Sequence, residues 1–243
     1  MIDIHCHILP GVDDGASSMD QALEMAAAAA AAGTSDLILT PHCNCPGFPG
    51  NFPEPQLLQQ FRAIRRAVRS AGLPVRIHAG AELLCDSDVL DTVQEKKVLT
   101  LAGSRYLLME FPFDLDGAAI SAAFEAFSKL GVVPVAAHPE RYDSVQQSPD
   151  LLSGWFRQGF GIQLNKDSIL GRLGRHARET ALWALDHGFV HVVASDAHGT
   201  RARTADLQEV FQWIAGHYSP EYASLLLEEN PRHILQDTLF RPA

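Results

Sequence analysis

The chain has 243 residues, 47% hydrophobic and 20% charged, with 19 Lys and Arg against 29 Asp and Glu for a formal net charge of −10. That balance suits a globular chain with a sizeable core and argues against nonspecific nucleic-acid binding, which needs surplus Lys and Arg to meet phosphates. No apolar run reaches the roughly 20 residues of a bilayer span, so no direct membrane insertion is expected, and the absence of a basic-then-apolar leader points to the cytoplasm.

The first apolar run, MIDIH, ends on His5, with His7 two residues on. Alternate side chains of an extended segment share a face, so the two imidazoles look the same way. Side by side they repel when protonated and gain nothing from each other when neutral; a metal ion explains the pair. Asp14 follows in the loop as a candidate ligand, while its neighbour Asp13 also suits a cap on the following turn. A helix is expected over 18–32, its alanine-rich end packing closely on a wall and Gly33 closing it. The second strand, DLILTPH, ends in His42 and runs into NCPGFPGNFPEP, whose four prolines and two glycines read as a long rim loop or lid.

A helix over 54–71 leads to VRIHAGAE, which reaches Glu82; His78 inside it reads as a core or supporting residue. After a helix over 86–96, YLLMEF carries Glu110. A helix over 117–130 precedes VVPVAAHP, which ends in His138, with Arg141 three residues on. Helices over 148–157 and 172–187 flank FGIQLN, and VHVVASDAH ends in Asp196 and His198. A last helical block over 204–235 is expected to break near Pro220 and Pro231. His176, His187, His191, His217 and His233 read as surface or packing residues.

Apolar strands alternating with helices imply a parallel sheet covered by helices, and seven strands in this length fit a closed or nearly closed barrel as one domain over 1–243. The competing doubly wound sheet carries a Gly-rich phosphate turn after its first strand, and HILPGVDDGA lacks that spacing. In a parallel barrel all strand C-termini share one rim. Five His and four carboxylates fall there, from six of seven strands: too many for one cation, enough for two or three. A lone Glu in LLMEF or Asp after VHVVAS is costly to bury without a partner or metal. Mixed nitrogen and oxygen donors suit Mn, Fe or Zn better than Ca or Mg.

The four cysteines, Cys6, Cys43, Cys45 and Cys85, form no CxxC pair and read chiefly as free thiols, with metal contact from Cys43 or Cys45 a lesser option. A thiol phosphatase needs Cys, five residues, then Arg; the sixth positions on are Val12, Pro49, Asn51 and Asp91, so that route lacks its anion cradle.

In order, HxH with a downstream Asp, TPH, GAE, MEF, AHPER and SDAH resemble the polymerase-and-histidinol-phosphatase (PHP) superfamily. Within it, IDIHCHILPGVDDGA and AHPERY are similar to the bacterial manganese-dependent protein-tyrosine phosphatases of capsule and exopolysaccharide clusters, the CpsB/YwqE type. The resemblance runs from Met1 to about Arg203, and ENPRHIL fits the family's C-terminal helix; Cys43 stands where a second His is common. It implies a distorted (β/α)7 TIM-like barrel with a trinuclear centre, Mn2+ first among the ions, held by His5, His7, Asp14, His42, Glu82, Glu110, His138, Asp196 and His198. It implies phosphate binding by Arg141 and Arg203, with Arg201 left open as an alternative to Arg203.

The expected reaction is phosphomonoester hydrolysis by a metal-bridging hydroxide, without a phosphoenzyme, with His42 or a metal-bound water as acid. The implied substrate is a phosphotyrosyl protein, a bacterial tyrosine kinase with C-terminal tyrosines, in the regulation of polysaccharide synthesis. Alternatives are a histidinol-phosphate or other small-molecule phosphoesterase, and a noncatalytic kinase-binding module. An amidohydrolase is disfavoured because no lysine suited to carbamylation is seen at a strand end.

Overall fold

A computed structural model describes residues 1–86, 89–95 and 97–241. Its strands are β1 (Ile2–Cys6), β2 (Asp36–Leu39), β3 (His42–Cys43), β4 (Arg76–Ala79), β5 (Glu82–Leu84), β6 (Tyr106–Glu110), β7 (Val133–Ala137), β8 (Gly161–Asn165) and β9 (Val192–Ala194). All pair in parallel, in the orders β1-β2-β4 and β3-β5-β6-β7-β8-β9. Among the described residues nine segments stand where seven strands were expected, because two staves are broken. Pro41, which has no N–H to donate to a ladder, separates β2 from β3. Gly80 and Ala81 separate β4 from β5, and a Cβ at Gly80 would lie 2.9 Å from Ile38 Cγ2, so the staves come too close there for a side chain.

The ring closes between β1 and β9. Cys6 bridges Ala197 in parallel, His7 N donates to Ala197 O at 2.8 Å, and Asp196 N donates to His5 O at 2.8 Å. The architecture is the expected distorted (β/α)7 barrel, seven staves with two of them kinked.

Helices cover the strands: α1 (Met19–Ala31), α2 (Pro55–Ser70), α3 (Val89–Glu95), α4 (Gly117–Lys129), α5 (Asp143–Gln147), α6 (Asp150–Arg157), α7 (Lys166–Ile169), α8 (Arg175–Asp186), α9 (Gln208–His217), α10 (Pro220–Ser224) and α11 (Asn230–Leu235). In α1 the Ser18 hydroxyl accepts from Gln21 N, and Ala22, Met25, Ala26 and Ala29 are buried at helical spacing. Small side chains let α1 pack close to the barrel, and Gly33 closes it at φ 86°. The helix expected over 86–96 corresponds to α3; residues 87, 88 and 96 of that span lie outside the described residues.

The last block breaks between His217 and Pro220, as expected. Pro231 does not break it: a π turn over Leu225–Glu229, in which Asn230 N donates to Leu225 O, carries the chain from α10 into α11, and Pro231 enters at the start of α11 without ending the helix. Among the described residues no helix is long and apolar enough to cross a membrane.

The loop after β1 turns back onto it. Ala16 N donates to His7 O at 2.9 Å, and a Cβ on Gly15 would sit 2.0 Å from that oxygen. Gly15→Ala is therefore expected to displace the loop and lower the stability by about 1–3 kcal/mol. A shift of the urea midpoint checks this; an unchanged midpoint would contradict the packing described.

Candidate metal centre

The C-terminal ends of the staves converge as the barrel requires. His5 lies in β1 and His7 just beyond it. His42 starts β3, Glu82 starts β5, and Glu110 ends β6. His138 follows β7, and Asp196 and His198 follow β9, while Asp14 comes from the first loop. The structure brings all nine together. They fall into four overlapping groups whose donor atoms lie within 4.8 Å of one another: His7, Asp14, His42 and His198; His5, His7 and Asp196; His5, Glu82 and His138; His42, Glu82 and Glu110. None of these groups contains a cysteine; Cys6 Sγ instead donates to Ile38 O.

Glu82 sits at the middle, fully buried. Its Oε1 faces His5 Nε2 at 3.2 Å and His138 Nε2 at 3.0 Å, and its Oε2 faces His7 Nε2 at 3.3 Å and His42 Nδ1 at 2.9 Å. Asp196 Oδ1 faces His5, His7 and His198 at 3.4–3.5 Å. Asp14 Oδ1 reaches His42 Nε2 at 3.4 Å and His198 Nε2 at 3.3 Å from the more exposed side.

The hydrogen bonds behind the imidazoles show what this pocket suits. His5 Nδ1 donates to Gln163 Oε1 at 2.9 Å, and His7 Nδ1 donates to Asp13 Oδ2 at 2.8 Å. Each neutral ring holds one proton, and those protons are used at the back. The two Nε2 atoms, only 3.2 Å apart, then present lone pairs to each other and to the carboxylates of Glu82 and Asp196. Such an arrangement repels itself unless positive charge sits in its middle. His42 Nδ1 and Glu82 Oε2, though close, do not meet with hydrogen-bond geometry, and both are buried without a hydrogen-bond partner, as is His198 Nε2. Donors aimed at common points, with His5 and His7 fixed from behind, fit divalent cations.

Without cations the cluster holds protons instead. Burial pushes the Glu110 carboxyl up to about 8, and the negative charge of Glu82 pushes the same way. Burial opposes a charged His42, but Asp14 and Glu82 outweigh it and hold the imidazole up to about 10. Glu82 itself, desolvated yet ringed by imidazoles with His5 foremost, is held well below the usual carboxylate range.

The arginines lie beside this cluster. Asp196 Oδ2, on the side away from the imidazoles, accepts from Arg203 Nη2 at 2.6 Å and Asn165 Nδ2 at 2.7 Å, with Arg141 Nη1 at 3.8 Å. The Arg141 guanidinium also lies 4.5 Å over the Phe113 ring. Arg201 is exposed, and the hydrogen bond to Asp196 belongs to Arg203. His138, Asp196 and Arg203 all adopt positive φ, at 34°, 49° and 47°. Such backbone costs about 1–3 kcal/mol each and persists only where the surroundings impose it.

Sequence reasoning left some contributors unassigned. Asp13 proves to be the support of His7, and it also accepts from His42 N and Gly15 N. Gln163, a polar residue in the apolar strand FGIQLN, supports His5; that isolated amide was the available signal. Lys166 directly follows β8, so a strand-end lysine does exist, yet its ammonium turns to Asp167 and Thr204. His78 is a supporting residue elsewhere, bonded to Asp36 at 2.8 Å. His191 is buried and held down to about 4 by desolvation, a neutral acceptor for Ile162 N.

Comparison with known proteins gives this geometry a setting. The family described as capsular polysaccharide synthesis, CpsB/CapC, matches residues 1–236. The chain is 32% identical over 241 residues to tyrosine-protein phosphatase YwqE of Bacillus subtilis (strain 168), spanning 99% of this chain and 94% of that protein. It is 31% identical over 244 residues to tyrosine-protein phosphatase CpsB of Streptococcus pneumoniae, spanning 98% and 100%. A crystal structure from work on YwqE of B. subtilis and CpsB of S. pneumoniae, described as unique metal-dependent tyrosine phosphatases, matches at TM-score 0.91 and 30% identity, over 100% of this chain and 97% of that one.

Two outcomes follow from the protonated cluster and its supports. At pH 7 the carboxyl of Glu110 and the imidazole of His42 carry protons that ligation must displace, so Mn2+ binding should release protons and weaken as pH falls. Calorimetry in buffers of different ionisation enthalpy reads this, and a buffer-independent heat would contradict it. Asp13→Asn should weaken Mn2+ binding by about 10–100-fold through His7; wild-type affinity in that variant would show that the support is unimportant.

Proposed function

The chain belongs to the CpsB/CapC family of capsular polysaccharide synthesis, and on that premise we propose that it is a metal-dependent protein-tyrosine phosphatase acting in the cytoplasm as one catalytic domain. His5, His7, Asp14, His42, Glu82, Glu110, His138, Asp196 and His198 hold two or three divalent ions, Mn2+ foremost. The observation that carries this is the 3.2 Å approach of His5 Nε2 to His7 Nε2, with Gln163 and Asp13 bonded to the two Nδ1 atoms on the side away from the pocket. The substrate is phosphotyrosine on a protein, a bacterial tyrosine kinase in the capsular polysaccharide setting that defines the family.

When bound, divalent ions supply Lewis acidity, bringing the pKa of water towards neutrality and neutralising phosphoryl oxygens. The chain's own residues do the rest. Arg141 and Arg203 offer guanidinium donors beside the cluster, suited to the phosphoryl oxygens that the cations leave uncovered. Asp196 keeps Arg203 in register with the ligands through a shared carboxylate. Phe113 supports Arg141 from below. His42, largely buried at the mouth, presents Nδ1 to Glu82 and Nε2 to Asp14; the nitrogen that does not ligate is the position that holds or passes a proton. A tyrosine leaving group, of pKa about 10, asks little of an acid.

Chelation should abolish hydrolysis of a phosphotyrosyl peptide and Mn2+ should restore it, while thiol alkylation leaves it intact; activity in a rigorously metal-free sample would refute the reading. Turnover of the peptide should exceed that of histidinol phosphate, and the reverse order would favour a small-molecule phosphoesterase. Arg203→Ala should lower kcat by about 10²–10³-fold, as loss of one donor to developing charge does; near-wild-type kcat in steady-state assays would remove Arg203 from the site.

A further inference from the structure

Beside the metal centre lies a cavity of about 470 Å³ that the phosphatase chemistry leaves unexplained. Lys166, Arg172, Arg201 and Arg203 line it, with Asp167 and Glu209 as its carboxylates. Four cations against two acids is an unusual concentration on a chain of net charge −10. The two acids are already engaged: Arg172 donates to both oxygens of Glu209 at 2.7 and 2.6 Å and to Asp167 Oδ1 at 3.0 Å.

That leaves the other cations short of partners. Lys166 is only 1% exposed, and burying an ammonium is costly unless its three donors are met. Its Nζ reaches Asp167 Oδ1 and Thr204 Oγ1 only at 3.4 Å each, and that same Asp167 oxygen serves Arg172. Arg203 gives Nη2 to Asp196, but its Nε is buried with no hydrogen-bond partner. Arg201 stands exposed at the opening. The loop carrying both arginines is tied to the metal centre, since His198 N donates to Arg203 O at 2.9 Å. One guanidinium thus belongs to both the catalytic pocket and the neighbouring cavity.

We propose that this cavity is an anion subsite in which Lys166, Arg201 and Arg203 receive a second negatively charged side chain of the substrate, near the phosphotyrosine being hydrolysed. The shared chemistry is an oxyanion, from either an acidic residue or a second phosphotyrosine. Such a group would give the ammonium of Lys166 the partner that Asp167 supplies only in part, and its position relative to the reacting phosphate is set by Arg203. The subsite deepens the phosphatase reading and rests on it.

The test uses the Mn2+-loaded protein and phosphotyrosyl peptides with alanine at neighbouring positions, into which one Glu or one further phosphotyrosine is placed, position by position. An anion at one position should lower KM by about tenfold, the worth of one charge-assisted hydrogen bond. A gain from both anions identifies a general oxyanion site, and a gain from phosphotyrosine alone a phosphate-selective one; either supports the subsite. The preference, measured as a ratio within each protein, should fall towards one in Lys166→Gln and by at least about threefold in Arg201→Gln. Arg201 is exposed, so its variant decides the matter if Lys166→Gln does not fold. Equal KM at every position, or a preference that survives Arg201→Gln, overturns the subsite. If no peptide of the set is hydrolysed, it is the phosphatase reading that fails.

Discussion

Everything at the mouth of this barrel depends on one electrostatic constraint: imidazole nitrogens and buried carboxylate oxygens converge on the same few points. Gln163 and Asp13 take the Nδ1 protons of His5 and His7 from behind, and the remaining nitrogens face Glu82 and Asp196. Only positive charge in the middle makes that arrangement favourable. Protons satisfy it in part: against burial, Asp14 and Glu82 hold His42 up to about 10, and Glu110, pushed up to about 8 by burial first and then by Glu82, keeps its own. Divalent cations satisfy it fully, since each oxygen of Glu82 already faces its own pair of imidazoles.

The fold imposes this crowding. β1 and β9 close the ring, and the same seam carries His5, His7, Asp196 and His198. Left-handed backbone at His138 and Asp196 turns two donors into the mouth, a conformation that side chains other than glycine adopt only under constraint. Asp196 then joins two kinds of chemistry. One oxygen faces imidazoles and the other faces Arg203, Asn165 and, further off, Arg141. One carboxylate thus faces the candidate cation ligands on one side and guanidinium donors on the other, a layout suited to bringing a phosphoryl group to a metal cluster.

Much of this was legible from the sequence because polar residues that terminate apolar runs stand out. Glu110 in YLLMEF and Asp196 after VHVVAS are hard to bury for any structural reason, and parallel-barrel topology places all such ends on one rim. The less legible parts depend on contacts between distant segments. Asp13 reads equally well as a turn cap, and only the return of the first loop onto β1 makes it the support of His7. Strand breaks at Pro41 and Gly80 escape a reading by composition, because each interrupts its stave for only two residues and the two staves pair with each other in parallel on both sides of the break. Lys166 was passed over because Asn165 and Asp167 surround it with polarity, which masks a strand end followed by a buried ammonium.

The central claim is that these nine side chains surround cations. Anomalous scattering from crystals of the Mn2+-loaded protein, measured at the manganese edge, reads this directly. The account predicts two or three peaks at the mouth, each within bonding distance of imidazole nitrogens and carboxylate oxygens of the nine, with Glu82 touching more than one. A mouth without an anomalous peak, or peaks confined to other parts of the surface, would contradict it.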